Sequence, residues 1–148
     1  MLDIAIKNGT IIDGTGSPSF NADIGISKDR IALIGNVSGM PAKKTIDATN
    51  LSISPGFIDT HVHCDGILLV DPQHASSLRQ GVTTEILGQD GLSYAPLSSE
   101  NYKIQRRYLS GILGLPPVNL DMSTITAFRS HYHNKVSVNT AYPVSHGA

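Results

Sequence analysis

Tryptophan is absent from this chain, and Cys64 is its only cysteine. A single thiol excludes an internal disulfide and fits a reducing, cytoplasmic setting, which is the expected location. Charge of one sign is missing as well. The 11 basic and 12 acidic residues leave a net charge of −1. Basic residues gather no further than the pairs Lys43-Lys44 and Arg106-Arg107, so nucleic-acid binding has no electrostatic footprint. No apolar run approaches the roughly 20 residues of a membrane span. Asp3 and Lys7 interrupt the N-terminal residues early, so neither a signal peptide nor a membrane partner is expected. Aromatics make up only 5% of the residues, whereas 40% are hydrophobic and 14 are glycine. That mixture suits short strands and many turns, and argues against a coiled coil or a disordered tail.

What is present begins with alternation. Leu2, Ile4 and Ile6 take every second position, which predicts a half-buried strand. Asn8-Gly9 is a hairpin-turn dipeptide, so Thr10–Ile12 is expected to return as a second strand. A Gly-, Ser- and Pro-containing loop follows from Gly14 to Ser19. Ala22, Ile24 and Ile26 alternate again, Lys28-Asp29 turns, and Ile31–Ile34 reads as a further strand. Thr45–Asp47 and Leu51–Ile53 complete a small β-sandwich-like portion over residues 1–54.

From residue 55 the pattern changes to an α/β order. Gly56–Asp59 is a brief apolar strand and residues 71–80 suit a short helix. Val82–Leu87 is β-branched and apolar, and it ends at the tight loop Gly88-Gln89-Asp90-Gly91. Tyr102, Ile104, Tyr108, Leu109 and Ile112 recur near helical spacing, and Tyr102 and Tyr108 are expected to pack. Residues 121–133 predict a helix capped by Asp121 or Ser123, with Ile125, Phe128 and Tyr132 on one face. Val136, Val138 and Ala141 predict a third buried strand. Strands alternating with helices imply a parallel sheet built of β/α units. A closed (β/α)₈ barrel takes about 250 residues, and about three of its eight strands fit here. Residues 55–148 therefore read as the truncated first units of a TIM-like barrel.

The sharpest chemical signal is His61-Val62-His63. Residues i and i+2 of an extended chain face the same way, so two imidazoles there can converge on one cation. Asp59 and Asp65 share their parity. Asp59 is placed to orient or supplement the pair, and Asp65 either joins the site or caps the following turn. Cys64 has the opposite parity and reads as a small buried residue. His131-Tyr132-His133 repeats the spacing on a helix, where i and i+2 diverge. His74, His131 and His133 are expected to be solvent-exposed. No Walker spacing, dinucleotide fingerprint or Gly-x-Ser-x-Gly elbow is present, so nucleotide binding and serine hydrolysis are excluded.

Ser54-Pro55-Gly56-Phe57-Ile58-Asp59-Thr60-His61-Val62-His63 resembles the first-strand signature of the amidohydrolase superfamily. Ile6–Gly14 resembles the opening of its N-terminal sheet domain. Gly81–Thr84, Gly88–Pro96, Asn139–Tyr142 and His146-Gly147 narrow the likeness to N-acyl-D-amino-acid deacylases, the D-aminoacylases. The resemblance implies one or two zinc ions, or other divalent metals, held by His61 and His63. Asp90 matches a position where many D-aminoacylases carry a cysteine ligand, with Gln89-Asp90 in place of Asn-Cys. Asp90 is thus read either as a harder metal ligand or as a turn residue between glycines. Ser93, Tyr94 and His146 are candidate substrate contacts. The implied reaction is hydrolysis of the amide of a small N-acyl-D-amino acid, with zinc polarising the carbonyl and activating water. The remaining ligands and the acid/base group are expected beyond this chain, so no catalytic residue is assigned within it and no turnover is expected of it alone. The alternatives are a dihydropyrimidinase-like cyclic-amide hydrolase, or a non-catalytic binding or assembly module that self-associates through unpaired sheet edges.

Overall fold

A computed structural model describes residues 1–146, in two compact units, Met1–Pro55 and Gly56 onward. Gly147, part of the resemblance above, lies outside the described residues.

In the first unit the opening alternation becomes one long strand, β1 (Leu2–Ile11), at the centre of a sheet. Strand β2 (Phe20–Ser27) pairs with β1 antiparallel, and β3 (Arg30–Gly35) follows on β2. Strands β4 (Ala42–Asp47) and β5 (Ser52–Ile53) pair with β1 in parallel. The described strands of the sandwich-like portion thus join in a single mixed sheet. Leu2, Ala5 and Val37 form its small core.

Asn8-Gly9 is not a hairpin turn, contrary to the sequence expectation. The strand runs straight through it, and the register with β2 shifts between Ile6 and Gly9. Asn8 takes a left-handed φ of 65°, which a short polar side chain tolerates and which a bulge requires. At Gly9 any Cβ would collide with the Ile53 side chain, so close strand approach demands glycine. Asp23 fastens the bulge: its Oδ1 accepts from the Asn8 N–H at 2.9 Å and its Oδ2 from the Val37 N–H at 3.1 Å.

The second unit has three parallel strands in the order β6 (Phe57–Asp59), β7 (Val82–Ile86), β8 (Asn139–Ala141). The connection from β6 to β7 carries α1 (Asp65–Val70) and α2 (Ala75–Leu78). The connection from β7 to β8 carries α3 (Ser99–Tyr108), α4 (Ser110–Leu113) and α5 (Ile125–Ser130). This is a run of β/α units, the opening of a barrel. Leu68, Leu87, Tyr94, Tyr102, Leu113, Met122, Phe128 and Tyr132 build its core, each at most 2% exposed. The Phe128 ring lies 4.8 Å from that of Tyr132 and 4.5 Å from that of Tyr142.

Three local expectations change. The cap of α5 is Thr124, whose side chain accepts from the Ala127 N–H, while Asp121 instead accepts from Ser123 in a turn. Strand β8 is shorter than expected, although Val138 before it is buried. Tyr108 is 80% exposed rather than packed; it closes α3 and lies about a third of a turn around the helix from buried Tyr102. No helix among the described residues is long and apolar enough to cross a membrane.

Two outcomes follow from this packing. Phe128→Ala removes a fully buried ring and is expected to cost about 3–5 kcal/mol in denaturant unfolding. Asp23 is held below its ordinary value of 3.8 by the Asn8 and Val37 amides. A lowered carboxylate contributes its full stabilisation above that ordinary value and loses it as pH falls below it and through the lowered one. Asp23→Ala should therefore melt a few degrees below wild type at neutral pH, with the gap closing below about pH 4 in thermal scans.

Candidate metal centre

Parallel strands place their C-terminal ends on one side, and the loops that leave those ends carry the candidate ligands. Strand β6 stops at Asp59, so His61 and His63 lie just past it rather than within it. Asp59 Oδ1 accepts the His61 N–H at 3.1 Å and shapes this exit through the backbone. The two imidazoles remain on one side, with ring centroids 5.3 Å apart and planes at 82°.

Strand β7 leads into a short 3₁₀ turn, Gln89–Gly91, that presents Asp90. Gly88, Asp90 and Gly91 all have left-handed φ, at 71°, 57° and 73°. Gly88 also leaves space that the Tyr142 ring fills: a Cβ there would sit 2.6 Å from Tyr142 Cε2. The turn points Asp90 at both histidines, with Oδ2 3.1 Å from His61 Nε2 and 3.2 Å from His63 Nε2.

Two imidazole nitrogens thus meet one carboxylate oxygen. A tetrahedral zinc site with bonds of about 2.0–2.1 Å has ligand atoms about 3.3 Å apart, so these separations suit a shared cation. The donor set, two neutral nitrogens and an anionic oxygen, is also suited to zinc. His63 Nδ1 is buried and has no hydrogen-bond partner among the described residues. His61 and Asp90 are exposed, which leaves the cluster open to a metal and a substrate.

The other sequence candidates have different surroundings. Asp65 begins α1, fully buried, and accepts the Gly88 N–H at 3.2 Å. Burial pushes its carboxyl up to about 7, against the lowering effect of backbone hydrogen bonds. Asp65 therefore braces the loop of Asp90 rather than reaching the imidazoles. Ser93 and Tyr94, expected to touch substrate, turn inward instead. Tyr94 is fully buried and donates to the Gly114 carbonyl at 2.6 Å. Ser93 Oγ donates to the Ala95 carbonyl and accepts its N–H. Both hydroxyl groups are consumed in holding the chain after the Asp90 turn. His146 is exposed, and its neighbour Ser145 donates to the Gly91 carbonyl at 2.7 Å, which seats this segment beside that turn.

His74 is the clearest correction. It is 7% exposed rather than solvated, because the β6–β7 connection folds it back onto Glu85, with Nε2 3.0 Å from Oε1. Cys64 is buried as expected, and its thiol donates to Glu85 Oε2 at 2.9 Å. Burial, then the Glu85 carboxylate, push that thiol up from its ordinary range. The sequence reading overlooked Glu85, although a carboxylate inside an apolar strand is itself a signal, because such a group is rarely buried unpaired.

If the exposed cluster is the metal site, Asp90→Ala should weaken zinc binding by at least about tenfold in calorimetry. Alanine at exposed His133 should leave the affinity unchanged.

Comparison with known proteins gives the family. A family model described as the amidohydrolase family matches residues 44–147. The D-aminoacylase of Alcaligenes xylosoxydans xylosoxydans is 42% identical over 99 residues, covering 67% of this chain and 20% of that protein. The solved N-acyl-D-glutamate deacylase of Bordetella bronchiseptica, complexed with zinc and a phosphonate inhibitor, superposes with a TM-score of 0.81 at 32% identity. That match covers 98% of this chain and 30% of the deacylase. A D-aminoacylase structure described for its binuclear metal centre gives a TM-score of 0.73 at 36% identity, over 99% of this chain and 30% of its own. The chain thus spans a fifth to a third of these relatives, and it belongs to the amidohydrolase family.

Proposed function

We infer that a protein carrying this segment is a zinc-dependent hydrolase of N-acyl-D-amino acids. One observation carries the reading: His61, His63 and Asp90 converge past the ends of adjacent parallel strands, in a chain similar to D-aminoacylases. Strand ends of this kind are where barrel enzymes build their active sites.

Zinc held there would supply Lewis-acid chemistry toward an amide carbonyl and toward water. His61 and His63 offer neutral nitrogens, and Asp90 offers one negative charge that offsets part of the cation's. Asp59 holds the backbone of His61, and Asp65 holds the loop of Asp90 through Gly88, so the ligands are set before a metal arrives. Such preorganisation lowers the ordering cost of binding. His146, exposed and next to the Ser145 that donates to the Gly91 carbonyl, is kept as the candidate substrate contact. Further ligands and the acid/base group are assigned to segments outside this chain, so the 148 residues alone should bind zinc without turnover.

The test is a substrate panel given to a protein that carries this segment within a full barrel, with and without chelator. N-acyl-D-amino acids should be hydrolysed at least about a hundredfold faster than their L enantiomers or cyclic amides, a difference of about 2.7 kcal/mol in transition-state binding. Chelation should abolish the activity, and zinc should restore it. Preference for a dihydropyrimidine or hydantoin ring would replace this reading with the cyclic-amide one. Zinc-dependent deacylation by the 148-residue chain alone would refute the assignment of the missing groups.

A further inference from the structure

A second group of metal-ligating side chains lies in the interior of the barrel unit, apart from the exposed ligands. Cys64, His74 and Glu85 are 5%, 7% and 0% exposed. Their sulfur, nitrogen and oxygen ligand atoms all lie within 4.8 Å of one another. They come from three places in the chain: the residue before α1, the residue before α2, and the middle of β7. We propose that Cys64, His74 and Glu85 form a structural site for a divalent, zinc-class cation.

Three features of the cluster support this. The first is charge. Glu85 is fully buried; its ion-pair partner among the described residues is His74, which compensates its charge only when protonated, and no lysine or arginine among them pairs with it. A buried carboxylate needs a compensating positive partner, and a divalent ion between Glu85, Cys64 and His74 provides one. The second is the arrangement of donors. His74 Nε2 lies 3.0 Å from Glu85 Oε1 and 2.8 Å from Ser77 Oγ. A ring nitrogen has one proton or one lone pair, so it cannot serve both oxygens fully. As a metal ligand it needs only the lone pair, and Ser77 Oγ is then within reach as an oxygen neighbour of the same site. The third is backbone. His74 has φ 42° and ψ 47°, a left-handed conformation uncommon outside glycine, at the residue whose ring is buried against Glu85.

Thiolate, imidazole and carboxylate are all zinc donors. On binding, the thiol proton leaves to solvent, and the Sγ–cation bond takes the place of the Cys64–Glu85 hydrogen bond. The ion would fasten the starts of α1 and α2 to β7. Because Cys64 directly follows His63, it would also hold one end of the exposed ligand segment. The site uses none of the exposed ligands, so it stands or falls independently of the proposed hydrolase activity.

Cobalt(II) substitution tests the proposal, because Cys64 is the only thiol in the chain. The probe is cobalt(II) alone, titrated anaerobically into the reduced 148-residue protein. Wild type should develop a thiolate-to-cobalt charge-transfer band in the near ultraviolet that is complete by about two equivalents, because the exposed cluster takes up cobalt as well, and zinc should displace it. The His61→Ala/His63→Ala variant should keep the full band, and Cys64→Ser should lose it while still binding cobalt at the exposed cluster. Wild type that binds cobalt without the band, or does not bind it at all, would leave the cluster a closed hydrogen-bonded network and overturn the proposal. Loss of the band in the double-histidine variant would also overturn it, by assigning Cys64 to the exposed site. The wild-type and double-histidine titrations decide the matter even if Cys64→Ser fails to fold.

Discussion

Parallel strands cannot be joined by a tight turn; each must be followed by a crossover long enough to return the chain to the starting edge. In the second unit that constraint organises the rest. Phe57, Ile58 and Asp59 of β6 pair with Val82, Thr84 and Glu85 of β7. Both strands therefore finish on the same side, and the histidine pair and the Asp90 turn leave from neighbouring positions. The crossover helices cover one face of the sheet, and Leu68, Leu87, Phe128 and Tyr132 pack between them. That packing holds the strand register, and the register sets the distance from Asp90 to the two imidazoles.

The two clusters illustrate how one strand serves two environments. Side chains of β7 alternate between faces, and Glu85 points into the layer beneath the helices, where Leu87 is also buried. There a carboxylate survives only with close partners, and Cys64 and His74 are drawn in to meet it. The exposed cluster works under different physics. His61 and Asp90 are solvated, so their attraction is screened, and their geometry comes from backbone: the Asp59 acceptor at the histidine segment, and the left-handed turn held by Asp65 through Gly88.

Position in the chain links these environments. His63 and Cys64 are adjacent, one directed to the open side and the other to the interior. Asp65 then begins α1 and reaches the loop after β7. A stretch of three residues thus touches the exposed ligands, the buried cluster and the brace of the Asp90 turn. Displacing one would disturb the other two, because a close-packed interior transmits small shifts.

Much of this was legible in the residues. Alternation marked the strands, the β/α order marked the parallel sheet, and the spacing of His61 and His63 marked two imidazoles able to lie together. Glycines around Asp90 marked a turn able to present it. These features depend on backbone periodicity and local φ/ψ preference, which neighbouring residues specify. The rest required tertiary structure. Asn8-Gly9 serves as a bulge because β1 keeps partners on both sides of it, β4 up to Lys7 and β5 from Thr10. Ser93 and Tyr94 turn inward because Ala95 and Gly114 take their hydroxyl groups. His74 is buried because Glu85, eleven residues away, is its partner. Sequence alone determined which residues could bind a metal; the pairing of distant segments decided which of them meet, since a side chain's partners depend on where the whole chain returns.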